Sequence, residues 1–190
     1  MSASLYTLFD FELNQRKGKS INEFLSICKK HNAKIIQYRD KVNDIDIKIE
    51  SIMKLKANFY GKVLVNDDIE LALFCDGVHL GQDDLKAVDE DFSKAVEKVR
   101  NQIGNKTLGL STHNKEEILL ANELDIDYIG LGAYRDTSTK KDIKGILGEG
   151  IKELASFSSK DVAIIGGVKI SDEIDFAKYK VVGSDLYLCD

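Results

Sequence analysis

The run Gln37-Tyr38-Arg39-Asp40-Lys41 sets an amide and two cations at alternate positions. In an extended segment side chains two apart share a face. Gln37, Arg39 and Lys41 would therefore point one way, and Ile36 and Tyr38 the other. Two cations and an amide on an inward face are costly to bury without an anion, so the trio reads as an anion grip unless Arg39 and Lys41 have already left the strand for solvent. Asn66-Asp67-Asp68 and Gln82-Asp83-Asp84 add carboxylates further along. If Asp67 and Asp84 meet, they repel unless a cation lies between them, and a hard divalent ion such as Mg²⁺ suits oxygen ligands and phosphate oxygens. Read singly, either aspartate could instead cap a helix.

Four further segments carry residues suited to binding. Gly109-Leu110-Ser111-Thr112-His113 ends one apolar run. The stretch from Tyr134 to Lys141 mixes the hydroxyls of Thr137 and Thr139 with Lys140 and Lys141. That is the composition of a phosphate grip, or of an exposed polar loop. Gly130 and Gly132 before it would permit the loop to move. Ile164-Ile165-Gly166-Gly167 and Gly183-Ser184 offer backbone amides for a second anion. His79 reads as a packing residue, and His31 as one without a role.

These residues need a scaffold that gathers them. Apolar runs of strand length recur at Leu5–Phe9, Lys34–Tyr38, Lys62–Asn66, Gly77–Leu80, Thr107–Ser111, Tyr128–Leu131, Val162–Gly166 and Val181–Ser184. Such near-continuous runs suit parallel strands buried on both faces. Helical patterns fall between them at Ile21–Lys30, Ile45–Leu55, Val88–Val99 and Asn114–Leu124. The first carries an apolar stripe of Ile21, Phe24, Leu25 and Cys28. Strand and helix alternating about eight times predict an α/β fold with right-handed crossovers. The architecture expected is a single compact (β/α)8 TIM barrel, residues 1–190, lacking a full eighth helix. Either a neighbouring subunit covers that last flank, which would make a homodimer, or the flank stays open. In such barrels the site lies where the strands end, and every segment above lies at a strand end.

Composition limits the partners. The chain has 190 residues, 43% hydrophobic and 31% charged, with a formal net charge of -5. A net negative field disfavours nucleic acid and anionic membranes. No stretch approaches the roughly 18 apolar residues of a membrane span. Cys28, Cys75 and Cys189 are odd in number and form no C-x-x-C pair, which fits a reducing cytoplasm better than a disulfide framework. The N-terminus has no basic region followed by an apolar run, so no secretory signal is read there.

Taken in order, the segments resemble one enzyme family. QYRDK is similar to the Q-x-R-x-K segment of thiamin phosphate synthases, and LVNDDIELALFCDGVHLGQDDL to their N-D…D-G-x-H-x-G-Q-x-D stretch. LGLSTH, TSTKK and AIIGGV follow in family order, although Arg135-Asp136 stands where the family usually carries a proline. The resemblance implies a barrel that joins hydroxymethylpyrimidine diphosphate to a thiazole phosphate, releasing pyrophosphate. It implies that Gln37, Arg39, Lys41, Asn66 and Lys140 bind the diphosphate and that Asp67 and Asp84 bind Mg²⁺. Ser111 would lie beside the pyrimidine, and Thr137, Thr139, Gly167 and Ser184 would hold the thiazole phosphate. Arg39, Lys41, Lys140, Ser111 and His113 form the candidate catalytic set.

Two rival readings remain. A thiazole tautomerase of the same fold would use His113 as acid or base. It would have no diphosphate to neutralise, so the paired Asp67 and Asp84 favour the synthase. A degenerate, non-catalytic barrel could bind a thiamin precursor, since fold alone never secures function.

Overall fold

A computed structural model describes residues 2–136 and 145–188. Eight parallel strands close into a barrel in chain order: β1 (Ser4–Asp10), β2 (Ile35–Arg39), β3 (Lys62–Asn66), β4 (Gly77–Leu80), β5 (Thr107–Thr112), β6 (Tyr128–Leu131), β7 (Asp161–Ile164) and β8 (Tyr179–Val182). Closure comes from β8 pairing with β1, where Tyr6 aligns with Val181.

Helices wrap the strands. α1 (Phe11–Arg16) and α2 (Ile21–Lys30) follow β1, and α3 (Ile45–Asn58) follows β2. α4 (Gln82–Val88) and α5 (Phe92–Ile103) follow β4, α6 (Lys115–Asn122) follows β5, and α7 (Ile151–Ala155) precedes β7. Start signals in the sequence explain several of these boundaries. Ser20 and Glu23 cap α2 reciprocally, and the Asn114 side chain accepts from Glu117 N at the start of α6. Val88 ends α4 rather than opening a long helix, because Asp91 caps a fresh start at Phe92 through Ser93 N and Lys94 N.

Alternation along the strands divides the core in two. Ile36, Tyr38, Val63, Val65, Leu108 and Leu110 face the helices in the larger cluster. Tyr6, Ile35, Leu64, Tyr128, Ala163 and Val181 fill the barrel interior. The inward layer is accommodated by missing side chains. A Cβ on Gly109 would lie 2.2 Å from the Tyr128 ring, and one on Gly130 would lie 2.7 Å from the His79 ring. Gly130 thus makes room for a histidine inside β6 and is no loop hinge. Gly132 is also closely packed, 2.5 Å from the Ile165 carbonyl oxygen by the same measure.

The last two connections depart from the expected alternation. No helix forms between β7 and β8, and β8 begins at Tyr179, two residues earlier than its apolar run suggests. The final flank is partly covered from within the chain. A 3₁₀ turn at Ser184–Leu188 buries Leu186 and Tyr187, and the Tyr187 hydroxyl lies 3.1 Å from Asn14 Oδ1. The chain itself thus covers part of that edge.

Candidate active site

Ion pairs and hydrogen bonds tie the strand ends together. Gln37 points inward and donates from Nε2 to the Tyr6 hydroxyl at 2.7 Å. Arg39, at the end of β2, pairs with buried Asp10 at the end of β1. Lys41, just beyond the strand, reaches Asp67 Oδ2 at 2.7 Å. Gln37 and Arg39 both reach residues of β1, whereas Lys41 has left the strand and reaches the end of β3; two of the three already hold carboxylates of the chain itself.

Asp67 follows β3 with a positive φ of 63°, a conformation that Asp tolerates better than most residues. Its amide donates to the His79 carbonyl at 2.9 Å, fixing it beside β4. It is Asp68, not Asp67, whose carboxylate turns back onto the following backbone, accepting from Leu71 N at 3.0 Å at the start of a 3₁₀ turn over Leu71–Phe74. Asp84 does serve its helix, accepting from Gly81 N at 3.0 Å. Burial pushes the Asp84 carboxyl above its ordinary range. The charge and hydrogen bond of Asp67 raise it further, while Gly81 N–H and Lys41 oppose the shift. The two aspartates therefore share one local field, and one of them resists ionising beside the other.

An open recess of about 560 Å³ lies over this pair, lined in part by Asp40, Lys41, Asn66, Asp67, Asp68 and Asp84. Two buried donors at the ends of β2 and β3, Arg39 Nε and Asn66 Nδ2, make no hydrogen bond to any described residue. Buried donors of that kind are costly unless something accepts from them. An oxygen-rich anion would satisfy both.

Ser111, near the end of β5, sits 2.9 Å from His79 Nε2. Gln82 donates to the Ser111 carbonyl at 2.6 Å. His79 in turn contacts the Tyr128 hydroxyl through Nδ1 at 2.9 Å, and Tyr128 contacts the Tyr6 hydroxyl at 2.9 Å. Sequence reasoning missed Tyr6, Asp10, Gln82 and Tyr128. A period-two signal was present for the inner layer: Gly109 and Ser111 alternate on β5, as Tyr128 and Gly130 do on β6.

His113 lies apart from this network. Its backbone N–H and its Nδ1 both meet Glu117 Oε2, at 2.8 and 2.9 Å, so it belongs to the opening turn of α6. Gly167 follows β7 with φ 64°, and a Cβ there would come within 2.7 Å of the Asp136 carbonyl oxygen. Ser184 opens the closing 3₁₀ turn after β8. Arg135 pairs with Asp172 at 2.6 and 3.2 Å and donates to the Gly167 carbonyl at 3.3 Å, clamping the segment after β6 to the segment after β7. Thr137, Thr139 and Lys140 lie outside the described residues. Among the described residues no group of three or more His, Cys, Asp or Glu side chains is arranged to hold a metal ion.

A closed β/α barrel with cations, paired carboxylates and unsatisfied donors at its strand ends is the frame of an enzyme acting on phosphorylated small molecules. The family model described as thiamine monophosphate synthase matches residues 5–184, and the chain belongs to that family. The thiamine-phosphate synthase of Methanosarcina barkeri is 37% identical over 179 residues, spanning 87% of this chain and 76% of the relative. That of Persephonella marina is 36% identical over 184 residues, spanning 94% and 83%. Among solved structures, a thiamine phosphate pyrophosphorylase from Pyrococcus furiosus superposes with a TM-score of 0.72 at 22% identity, over 97% of this chain and 90% of that one. This last likeness bears on the fold.

Proposed function

We propose that the protein is an Mg²⁺-dependent thiamin phosphate synthase, transferring hydroxymethylpyrimidine from its diphosphate to the nitrogen of thiazole phosphate. The observation that carries this reading is the meeting of Lys41, Asp67 and Asp84 beside the unsatisfied Arg39 Nε and Asn66 Nδ2. In the reaction the pyrimidine methylene–oxygen bond breaks with its electron pair leaving on pyrophosphate. The thiazole nitrogen lone pair then forms the new carbon–nitrogen bond. No protein nucleophile is needed.

Gln37, Arg39, Lys41, Asn66 and Lys140 are assigned to the diphosphate, where pre-placed donors stabilise charge as it develops. Asp67 and Asp84 would hold Mg²⁺. The fit is good, because Mg²⁺ is commonly bound by one or two carboxylates plus substrate phosphates, and a cation there offsets the burial and the Asp67 charge that raise the Asp84 carboxyl. Bound, the ion supplies positive charge against the departing pyrophosphate. Ser111 is assigned to the pyrimidine, and Thr137, Thr139, Gly167 and Ser184 to the thiazole phosphate. Holding both rings makes much of the rate gain positional.

The same reading takes residues 1–190 as one barrel domain that works in the cytoplasm as a homodimer. Among the described residues no helix is long and apolar enough to cross a membrane. Pyrophosphate release from both substrates, measured with and without Mg²⁺, tests the assignment. Mg²⁺-dependent release with thiamin phosphate as co-product supports it. Folded protein that releases none overturns it.

A further inference from the structure

Four contacts run through the barrel interior from β2 to β5. Gln37 Nε2 donates to the Tyr6 hydroxyl at 2.7 Å, and Tyr6 meets the Tyr128 hydroxyl at 2.9 Å. Tyr128 meets His79 Nδ1 at 2.9 Å, and His79 Nε2 meets Ser111 Oγ at 2.9 Å. Each hydroxyl has one hydrogen, and a neutral imidazole has one protonated nitrogen. One direction along the chain gives every hydrogen an acceptor. An amide nitrogen can only donate, so Tyr6 accepts from Gln37 and passes its own hydrogen to Tyr128. Tyr128 then donates to His79 Nδ1, which leaves the imidazole hydrogen on Nε2, directed at Ser111.

With His79 donating from Nδ1 instead, one phenol, Tyr6 or Tyr128, must accept from both of its neighbours. Its own hydrogen then has no acceptor within these contacts, a cost in a buried site. Burial pushes the Tyr6 and Tyr128 phenols well above their ordinary range, so both keep the hydrogen that the chain requires.

We propose that this directed relay holds His79 as its Nε2–H tautomer and thereby sets Ser111 to donate its hydroxyl hydrogen to the substrate, with Tyr128 and His79 acting as positioning residues. Ser111 already accepts from His79, so its own hydrogen is directed elsewhere, at a ring nitrogen rather than a ring donor. The role of Ser111 toward substrate rests on the synthase reading; the tautomer does not.

The test combines ¹⁵N NMR of the three histidines with steady-state kinetics. His31→Gln and His113→Gln assign the spectrum. The wild-type spectrum is expected to show His79 protonated on Nε2 alone. Tyr128→Phe, which keeps the ring, should convert His79 to a mixture of tautomers. It should lower kcat/KM for the pyrimidine diphosphate about two- to tenfold, the worth of one hydrogen bond. KM for the thiazole phosphate should hold. On a Ser111→Ala background, Tyr128→Phe should cost nothing more. An Nδ1–H imidazole in the wild type, a tautomer unchanged in Tyr128→Phe, or additive losses in the double variant would overturn the relay. Loss of all turnover with the expected tautomers present counts against the synthase reading alone.

Discussion

Lys41 Nζ lies 2.7 Å from Asp67 Oδ2, joining the segment after β2 to the segment after β3, and the charge on Asp67 in turn raises the Asp84 carboxyl. A cation and two carboxyl groups, one of which resists ionising, thus share one strand-end field. The field is costly to the empty site and useful to a bound one, so stability and activity should part company here.

Asp84→Asn exposes that conflict. The folded chain holds the Asp84 proton to higher pH than the unfolded chain does. Its stabilising contribution is therefore fully present below about pH 4, the ordinary Asp range, and is lost as pH rises through the raised value. The variant does not suffer this loss, so its Tm should gain on the wild type between pH 4 and pH 8 in metal-free buffer. Turnover should fall by at least about a hundredfold. Calorimetry across that range checks the sign, and a Tm difference that shrinks with pH would refute it.

Gly109→Ala tests the inner layer. Its new Cβ would meet the Tyr128 ring, a buried group on a β-strand with little room to yield. Overpacking of this kind costs about 1–3 kcal/mol. A urea midpoint equal to that of the wild type would show that the ring moves freely.

His113→Ala separates the two enzyme readings. Glu117 holds both the His113 amide and its ring, a helix-opening arrangement. The variant should lose about 1 kcal/mol or less and keep synthase turnover within a few-fold. A loss of three orders of magnitude would return His113 to the chemistry.

Asp172→Ala releases Arg135. Burial opposes ionisation of Asp172, but the Arg135 and Lys169 N–H bonds outweigh it and hold the carboxyl below its ordinary range. The pair is half open to solvent, so its stability value is small. Its geometric value is larger, because it steers the segment leading into Thr137 and Lys140. KM for thiazole phosphate should rise several-fold while kcat changes little; steady-state titration of each substrate distinguishes this from a general loss.

Much of the frame was legible because barrel strands advertise themselves as short apolar runs between capped helices. Ile21–Lys30 and four of the eight strands begin where their residues predict. The β7–β8 connection was not, since Ile170, Ile174 and Phe176 have the apolar content of a helix but form none. The pairing of Asp67 with Asp84 follows from strand order, which sequence supplies. Lys41 claiming Asp67 depends on side-chain reach across elements, which sequence spacing does not encode, and Glu117 claiming His113 is a local choice of rotamer that spacing leaves open. Tyr6 and Tyr128 read as ordinary apolar filling because only their hydroxyls, meeting across the barrel, make them polar.

The pairing of β1 with β8 has a consequence for synthesis. β1 emerges first and finds β2 soon after, but its other edge waits for a strand near the far end of the chain. At about 5–20 residues per second, Ser4–Asp10 spends roughly ten seconds or longer as an unpaired edge. Such an edge can template pairing with another chain. Asp10, at the exit of this strand, places a charge at one end of that edge, and the strand before it, SLYTLF, carries none.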